Sequence, residues 1–234
     1  MASPDSFRLT FTWDNRDNRM FTKNGQYASY SVQVSDRKIG SAASFVRQTA
    51  FARFYKKIFG PFVLKLNTEL GLITSRDSTG VPNFERFYLG GIYTIRGYPL
   101  QSVGPQTGVP SSVDPNAPIG EGVPFGGNMQ GFYNLELEFP IVESIGIRGV
   151  VFQDAGNAWN LEFHPGGQCQ LPPTISNDRA AQPCGLHPFL RASWGFGLRW
   201  FSPLGPLRFE WGVPIRRRPD ENRIRFEFTI GNSF

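Results

Sequence analysis

The sequence predicts an all-β fold: an antiparallel transmembrane β-barrel or half-barrel of eight or nine strands in meander order, formed as one domain over residues 1–234. Short segments with an apolar side chain at every second position recur along the chain. The composition, with 22 Phe, 26 Gly and 3 Met, also favours strands, and no long segment has the helical period. Transmembrane strands are only about 10 residues long, so a polar mean hydropathy does not exclude a membrane protein.

Alternating segments separated by turn residues define the expected strands. The predicted strands are 7–13, 28–34, 44–56, 62–72, 126–139, 145–158, 189–201, 206–214 and 223–234. Short turns near 57–61, 140–144 and 202–206 contrast with long links near 75–125 and 160–187. Within the first link we expect order over 83–98 and an exposed loop over the Pro-rich 99–124. Short turns at one end and long loops at the other are typical of outer-membrane barrels.

The terminal segment has the most informative alternation. Apolar Phe226, Phe228 and Ile230 occupy every second position, and the aromatic Phe234 ends the chain. Period-2 alternation indicates a strand with one apolar and one polar face. We expect the apolar residues to face lipid, the residues between them to face inward, and the terminal aromatic to be an assembly signal. The alternative is an edge strand of a soluble sandwich.

Charge and hydropathy exclude several classes of function. A net charge of +5 without recognition aromatics or a basic helix does not indicate nucleic-acid binding, but it suits contact with lipid phosphates. No apolar run reaches the roughly 18 residues of a transmembrane helix, and residues 1–4 do not open a signal peptide. The chain has no Gly-x-Ser-x-Gly motif, so we expect neither an enzyme nor a cofactor.

The two cysteines, Cys169 and Cys184, lie in one predicted loop. In an exported protein two cysteines most often form a disulfide, which for a loop of about 15 residues contributes about 3 kcal/mol in the chain-entropy model. His164 and His187 flank the pair, so a zinc site is an alternative, as are free thiols. We expect the disulfide and no metal.

Three blocks of sequence carry a more specific signal. The first joins Phe-Glu-Arg-Phe-Tyr-Leu-Gly-Gly at 84–91 to Thr-Ile-Arg-Gly-Tyr at 94–98 and Val-Gly-Pro at 103–105. The second is Phe-Gln-Asp-Ala-Gly-Asn-Ala-Trp at 152–159, and the third, rich in Gly and Pro, spans 193–206. In this order, with the terminal aromatic, the blocks resemble the BamA/TamA superfamily of outer-membrane assembly proteins along the whole chain.

The resemblance implies a location and a function. The chain is similar to the C-terminal half of that family's sixteen-stranded barrel, with the periplasmic domains and first strands outside it. The implied role is folding and inserting β-barrel proteins into the bacterial outer membrane, with an exposed strand edge as template. The implied partners are unfolded outer-membrane proteins, membrane lipids and lipopolysaccharide. Separately, strand edges that do not close on each other admit a second copy of the chain, paired edge to edge. A passive pore, or the membrane anchor of a secretion system or fused enzyme, is the alternative.

The resemblance also implies a role for Arg96. In the family this arginine reaches into the barrel and meets acids on the inner wall, which here correspond to Glu136 and Asp154. An enclosed guanidinium needs such partners, and a carboxylate matches its planar fork. Glu138 is a competing acid that shares strand parity with Glu136, so parity alone does not separate the two.

Gly97 and Tyr98 complete the Arg-Gly-Tyr motif. Glycine permits a tight backbone turn at position 97. Tyrosine supplies packing area at position 98. The alternative is a surface turn with an incidental arginine.

Overall fold

The computed structural model describes residues 6–19, 21–77, 80–107, 123–162, 190–202, 205–215, 217 and 221–231. The strands are β1 (Ser6–Asp14), β2 (Gly25–Ser35), β3 (Phe45–Lys57), β4 (Val63–Ser75), β5 (Gln106–Thr107), β6 (Val123–Pro124), β7 (Met129–Val142), β8 (Ile147–Trp159), β9 (Arg191–Ser202), β10 (Gly205–Pro214) and β11 (Arg225–Ile230). Single-turn 3₁₀ helices span Arg37–Ile39, Asn83–Glu85 and Glu143–Ile145. Within the described residues no helix is long and apolar enough to span a membrane.

Nine of the strands form one antiparallel sheet in the order β1-β2-β3-β4-β7-β8-β9-β10-β11. The predicted antiparallel meander is therefore confirmed. Strands β1 and β11 are the two edges, and among the described residues they do not pair with each other. Since β1 pairs with β2 along its whole length, it is one of the nine strands of the sheet and not a segment outside it. The sheet is a half-barrel rather than a closed eight-stranded barrel.

The links lie at two ends of the sheet. The end that we call the short-turn end carries the links 15–24, 58–62, 143–146 and 203–204. At the opposite end, the loop end, the long links include 76–128 and 160–190, which agrees with the predicted division into short turns and long loops. The antiparallel order places successive links at alternate ends of the sheet, but it does not set their lengths.

The two faces of the sheet differ in chemistry. Outward positions carry large apolar side chains, such as Phe7 on β1, Phe196 on β9 and Phe228 on β11, which are 68%, 51% and 47% exposed. Inward positions carry charged and small residues, such as Glu136 on β7 and Asp154 on β8, which are 4% and 0% exposed. This is the distribution of a membrane barrel, with lipid outside and a polar lumen inside.

The main core lies between the inner face of the sheet and the link that follows β4. Residues 83–105 of this link fold back against the inner face of the sheet. Within the link, isolated bridges pair Phe87 with Gly127 and Leu89 with Val103. One apolar cluster joins this link to β7 and β8. Its members are Leu89, Ile95, Tyr98, Val103, Phe132 and Ala158. A loop rather than a second sheet therefore covers this part of the inner face.

Three predicted boundaries are wrong in detail. The exposed loop expected over 99–124 is contradicted at Val103, Gly104 and Pro105, which are buried, and residues 108–122 lie outside the described residues. The turn expected at 140–144 is shorter, since β7 continues to Val142 before the 3₁₀ turn. The terminal strand covers Arg225–Ile230 rather than 223–234, and residues 232–234 lie outside the described residues.

Candidate functional site

The centre of the site is the guanidinium of Arg96, which is only 2% exposed. Its Nη2 and Nε donate to the two carboxylate oxygens of Asp154 at 2.6 and 2.7 Å, a bidentate pair. Its Nη1 donates to Glu136 at 2.7 Å and to Glu210 at 2.9 Å. The Cζ atom of the guanidinium also lies over the ring of Phe152, 3.6 Å from its centroid. The structure thus brings Arg96 together with both acids named by the resemblance and with a third.

Burial and charge act in opposite directions on this arginine. Burial alone lowers the pKa of Arg96, because removal from water disfavours the charged form. The carboxylates of Asp154, Glu210 and Glu136 outweigh that penalty and raise the pKa well above its ordinary value. The arginine therefore stays a fixed cation at the centre of an acidic wall.

A row of three arginines lies next to this centre on the inner face. Arg148, Arg199 and Arg208 are directly opposite one another across β8, β9 and β10. Like charges placed opposite one another across strands repel, so the row needs acids close by. Arg199, in the middle, donates to Glu136 at 2.7 Å and to Glu210 at 3.1 Å.

Glu138 and Glu136 both contact Arg199, but their other cationic partners differ. Glu138 accepts from Lys65 at 2.7 Å, from Arg148 at 2.6 Å and from Arg199 at 3.2 Å. The structure thus distinguishes the two acids by their partners, which strand parity alone did not. Glu136 contacts both Arg96 and Arg199, whereas Glu138 compensates the charges nearer the short-turn end.

Gly97 allows the loop to lie directly on β10. Its φ is +85°, which non-glycine residues rarely adopt. A side chain at Gly212 of β10 would place its Cβ 2.4 Å from the Gly97 amide nitrogen, so this contact is a close backbone approach. Both positions require glycine, because a Cβ on either would push the loop away from the wall.

Tyr98 fixes the next part of the loop. Its side chain is fully buried, and its hydroxyl donates to the carbonyl of Ala192 at 2.8 Å. The guanidinium of Arg191 lies 4.5 Å from the centre of its ring. The ring of Tyr98 therefore packs, as expected, against strands β7 and β8 and the start of β9.

In the terminal strand the described residues separate into two faces. Phe226, Phe228 and Ile230 point outward and are 53%, 47% and 64% exposed. The side chains of Glu227 and Thr229 point inward. Phe234 lies outside the described residues, as do Cys169 and Cys184 with the flanking histidines, so the disulfide stays a prediction.

Sequence reasoning missed Arg199, Arg208 and Glu210. Each is a charged residue between apolar neighbours in a predicted strand, and that pattern marks a side chain on the lumen side. The pattern identifies the face but not the partner, because partners depend on strand register. Glu210 is the most important omission, since it is fully buried and contacts Arg96, Arg199 and Arg208.

The family comparison agrees with this architecture. Residues 5–234 match the model of the Omp85 superfamily domain. The chain is 29% identical to the outer membrane protein assembly factor BamA of Neisseria meningitidis, covering 97% of this chain and 29% of that protein. The BamA of Nitratidesulfovibrio vulgaris is also 29% identical, with 97% and 25% covered. A SAM50-like protein of Schizosaccharomyces pombe is 24% identical, with 98% and 44% covered.

A solved structure has the same fold. The chain superposes on the crystal structure of BamA from Haemophilus ducreyi lacking POTRA domains 1–3 with a TM-score of 0.73 at 26% identity. The match covers 95% of this chain and 41% of that one, so this chain spans less than half of its relatives. Like its bacterial relatives, it is an outer-membrane protein. The match over nearly its whole length shows that the chain belongs to the Omp85 superfamily.

Proposed function

We propose that this chain supplies the C-terminal barrel segment of an outer-membrane protein assembly factor, which folds and inserts other β-barrel proteins. Two of its relatives carry the name of such a factor, and this chain spans 29% and 25% of them. The role needs pairing of strands and no chemical catalysis. The observation that carries the proposal is the outer edge of β11, with which no strand of the described residues pairs.

The open edge of β11 has free donors in a regular row. The Gly231 amide donates to the Pro206 carbonyl at 2.9 Å, so it points toward β10. Because amides alternate in direction along a strand, those of Phe226, Phe228 and Ile230 point away from β10. An unpaired edge recruits another strand, and an incoming transmembrane strand has the same alternation of lipid-facing and lumen-facing residues.

The loop supports this edge from the lumen side. Glu210 of β10 pairs with the central arginine of the loop, and Gly97 lies directly against the backbone of Gly212 in β10. The hydroxyls of Tyr93 and Thr229 lie 3.3 Å apart. These contacts hold the last hairpin on one side while its far edge stays unpaired, as a template for an incoming strand requires.

The same surfaces account for the other proposed partners. The outward aromatic face of the sheet meets phospholipid and lipopolysaccharide, and the strand edges also suit pairing with a second copy of the chain. The terminal segment, with its regular alternation, serves as the signal by which the chain itself is assembled.

The test is the folding rate of a second barrel protein. A purified, unfolded eight-stranded barrel is added to lipid vesicles that contain the protein, and its folding is followed by its heat-dependent shift in gel mobility. The Phe228→Pro variant removes one edge donor, and edge strands tolerate proline there. The Phe228→Leu variant is the matched control, because it keeps both the amide and the apolar face.

We expect the wild-type protein and Phe228→Leu to accelerate folding, and Phe228→Pro to lose most of that acceleration. Equal acceleration by the proline variant would show that the β11 edge is not the template. Steady ion conductance across a bilayer, without any acceleration of folding, would favour a passive pore instead.

A further inference from the structure

The outward face of the first strands contains a depression that we call the outer groove. Its floor is made of small side chains, because Ala28, Ala52 and Thr68 lie directly opposite one another across β2, β3 and β4. Ala50 extends the floor toward the middle of β3. The groove is open on its outward side and has a volume of about 540 Å³.

Large side chains form the walls of the outer groove. Phe11 and Trp13 of β1 and Tyr30 of β2 stand on one side, and Leu70 of β4 stands on the other. The Tyr30 hydroxyl donates to Gln48 at 2.7 Å, which holds this ring away from the floor. The lining is almost wholly apolar, so the groove suits a hydrocarbon chain rather than a polar ligand.

Basic residues lie beyond the groove toward the short-turn end, past the outward-facing Phe54 of β3, which is 44% exposed. Lys56 is exposed and shares the outward parity of Ala50 and Ala52, and the exposed Lys57, of opposite parity, ends the strand. From Lys56 to Ala50 the strand rises about 20 Å, which at a tilt of about 45° is about 14 Å of depth. This is about half of a hydrocarbon core about 30 Å thick, so groove and lysines fit a single leaflet.

Strand β9, toward the opposite edge of the sheet, has no such floor among its described residues. On β9 the outward positions Trp194, Phe196, Leu198 and Trp200 are all large, and each is at least 37% exposed. Along this strand, lipid chains contact large side chains at every outward position. A groove with small residues between tall walls instead gives one chain more contacts than its neighbours have.

We propose that the outer groove binds one acyl chain of an anionic phospholipid, and that Lys56 and Lys57 contact its phosphate. The apolar floor and walls take the chain, and the two cations at the same leaflet surface attract the headgroup. The site thus selects a single phospholipid from the surrounding membrane, in addition to the assembly role proposed above.

Native mass spectrometry of the purified protein in detergent tests this site. Phosphatidylglycerol and phosphatidylcholine with identical acyl chains are titrated separately, and the fraction of protein with one bound lipid is measured. We expect wild-type protein to bind phosphatidylglycerol at least about fivefold more tightly, the effect of about one lysine near an anionic group. Equal binding of the two lipids would overturn the proposal without any variant.

Two kinds of variant separate the chain from the headgroup. Ala52→Leu or Thr68→Leu fills the floor and should weaken binding of both lipids severalfold. Lys56→Gln with Lys57→Gln should remove the preference for phosphatidylglycerol and leave phosphatidylcholine unchanged. Unchanged lipid binding by a folded floor variant, or an unchanged preference in the double variant, would contradict the site.

Matched controls lie outside the groove. Val151→Leu enlarges an outward side chain of β8, which is 48% exposed, and Lys38→Gln removes an exposed cation at the loop end. Neither should alter lipid binding. A heat-dependent shift in gel mobility shows for each variant that the barrel segment is folded.

Discussion

Strands β7–β10 and strand β1 alternate in sequence in the same way, yet their inner faces have different environments. Along β7–β10 the loop over residues 83–105 covers the face, and Asp154 and Glu210 are completely buried. Along β1 every residue is exposed, including inward-facing Arg8, which contacts the neutral Gln33. Alternation therefore decides which way a side chain points, but the loop decides whether that side chain leaves water.

This difference controls how much each polar contact contributes to stability. An ion pair in a water-excluded site is strong, and loss of one partner leaves a buried charge uncompensated. A polar contact on an open face exchanges with water at little cost. We therefore expect the polar contacts of the covered strands β7–β10 to contribute more to the free energy of unfolding than those of β1.

The largest effect is expected for Arg96→Ala. The change leaves Asp154, Glu136 and Glu210 without their shared cation, and loss of one partner from a buried ion pair costs about 3–5 kcal/mol. Urea unfolding in vesicles, followed by tryptophan fluorescence, measures the free energy of unfolding. As a control, Arg19→Ala removes an exposed pair with Asp14 and should cost less than about 1 kcal/mol. Equal costs for the two variants would refute the contrast between covered and open regions.

The second-largest loss of unfolding free energy is expected for Phe228→Arg. The side chain faces lipid, and an arginine near the bilayer midplane of a barrel costs roughly 2–4 kcal/mol. The same unfolding measurement applies, with Phe228→Leu as a nearly neutral control. Spin labels at 226, 228 and 230 should report lipid, whereas labels at 225, 227 and 229 should not. The reverse pattern would place the register of β11 off by one residue.

Gly212→Ala tests the contact between loop and wall. The added Cβ would lie 2.4 Å from the Gly97 amide nitrogen, so we expect a cost of about 1–3 kcal/mol, as for overpacking. Gly131→Ala is the control, because its nearest neighbour is the movable end of Leu70 at 3.2 Å. If both alanines are tolerated equally in unfolding experiments, the loop does not depend on this approach.

The smallest effect is expected on the open face. Arg8→Ala removes the hydrogen bond that the exposed Arg8 donates to the buried Gln33, and we expect a cost of about 1 kcal/mol, that of one ordinary hydrogen bond. Its unfolding free energy is measured beside that of Arg199→Ala, in which a buried arginine of the same chemical type is lost. A cost for Arg8→Ala as large as that for Arg199→Ala would mean that the inner face of β1 is covered too.

The sequence alone predicted the strands, their antiparallel order and the direction of most side chains, because a period of two is a local property of the chain. It also located the Arg-Gly-Tyr loop and the acids Glu136 and Asp154 through the family resemblance. Glu210 was missed, because its contact with Arg96 joins residues 114 positions apart. A local sequence pattern does not indicate a contact between residues so far apart in the chain.

Only the tertiary structure decided the partners of each charge. Strand register placed Arg148, Arg199 and Arg208 in one row. The fold also gave Arg96 to Glu136 and Lys65 to Glu138, although parity made these acids equivalent and both contact Arg199. Likewise the close approach of Gly97 to Gly212 depends on how the loop folds back over β10. Register and loop closure arise from the sum of many cross-strand and packing contacts, and alternation within one strand contains no information about either.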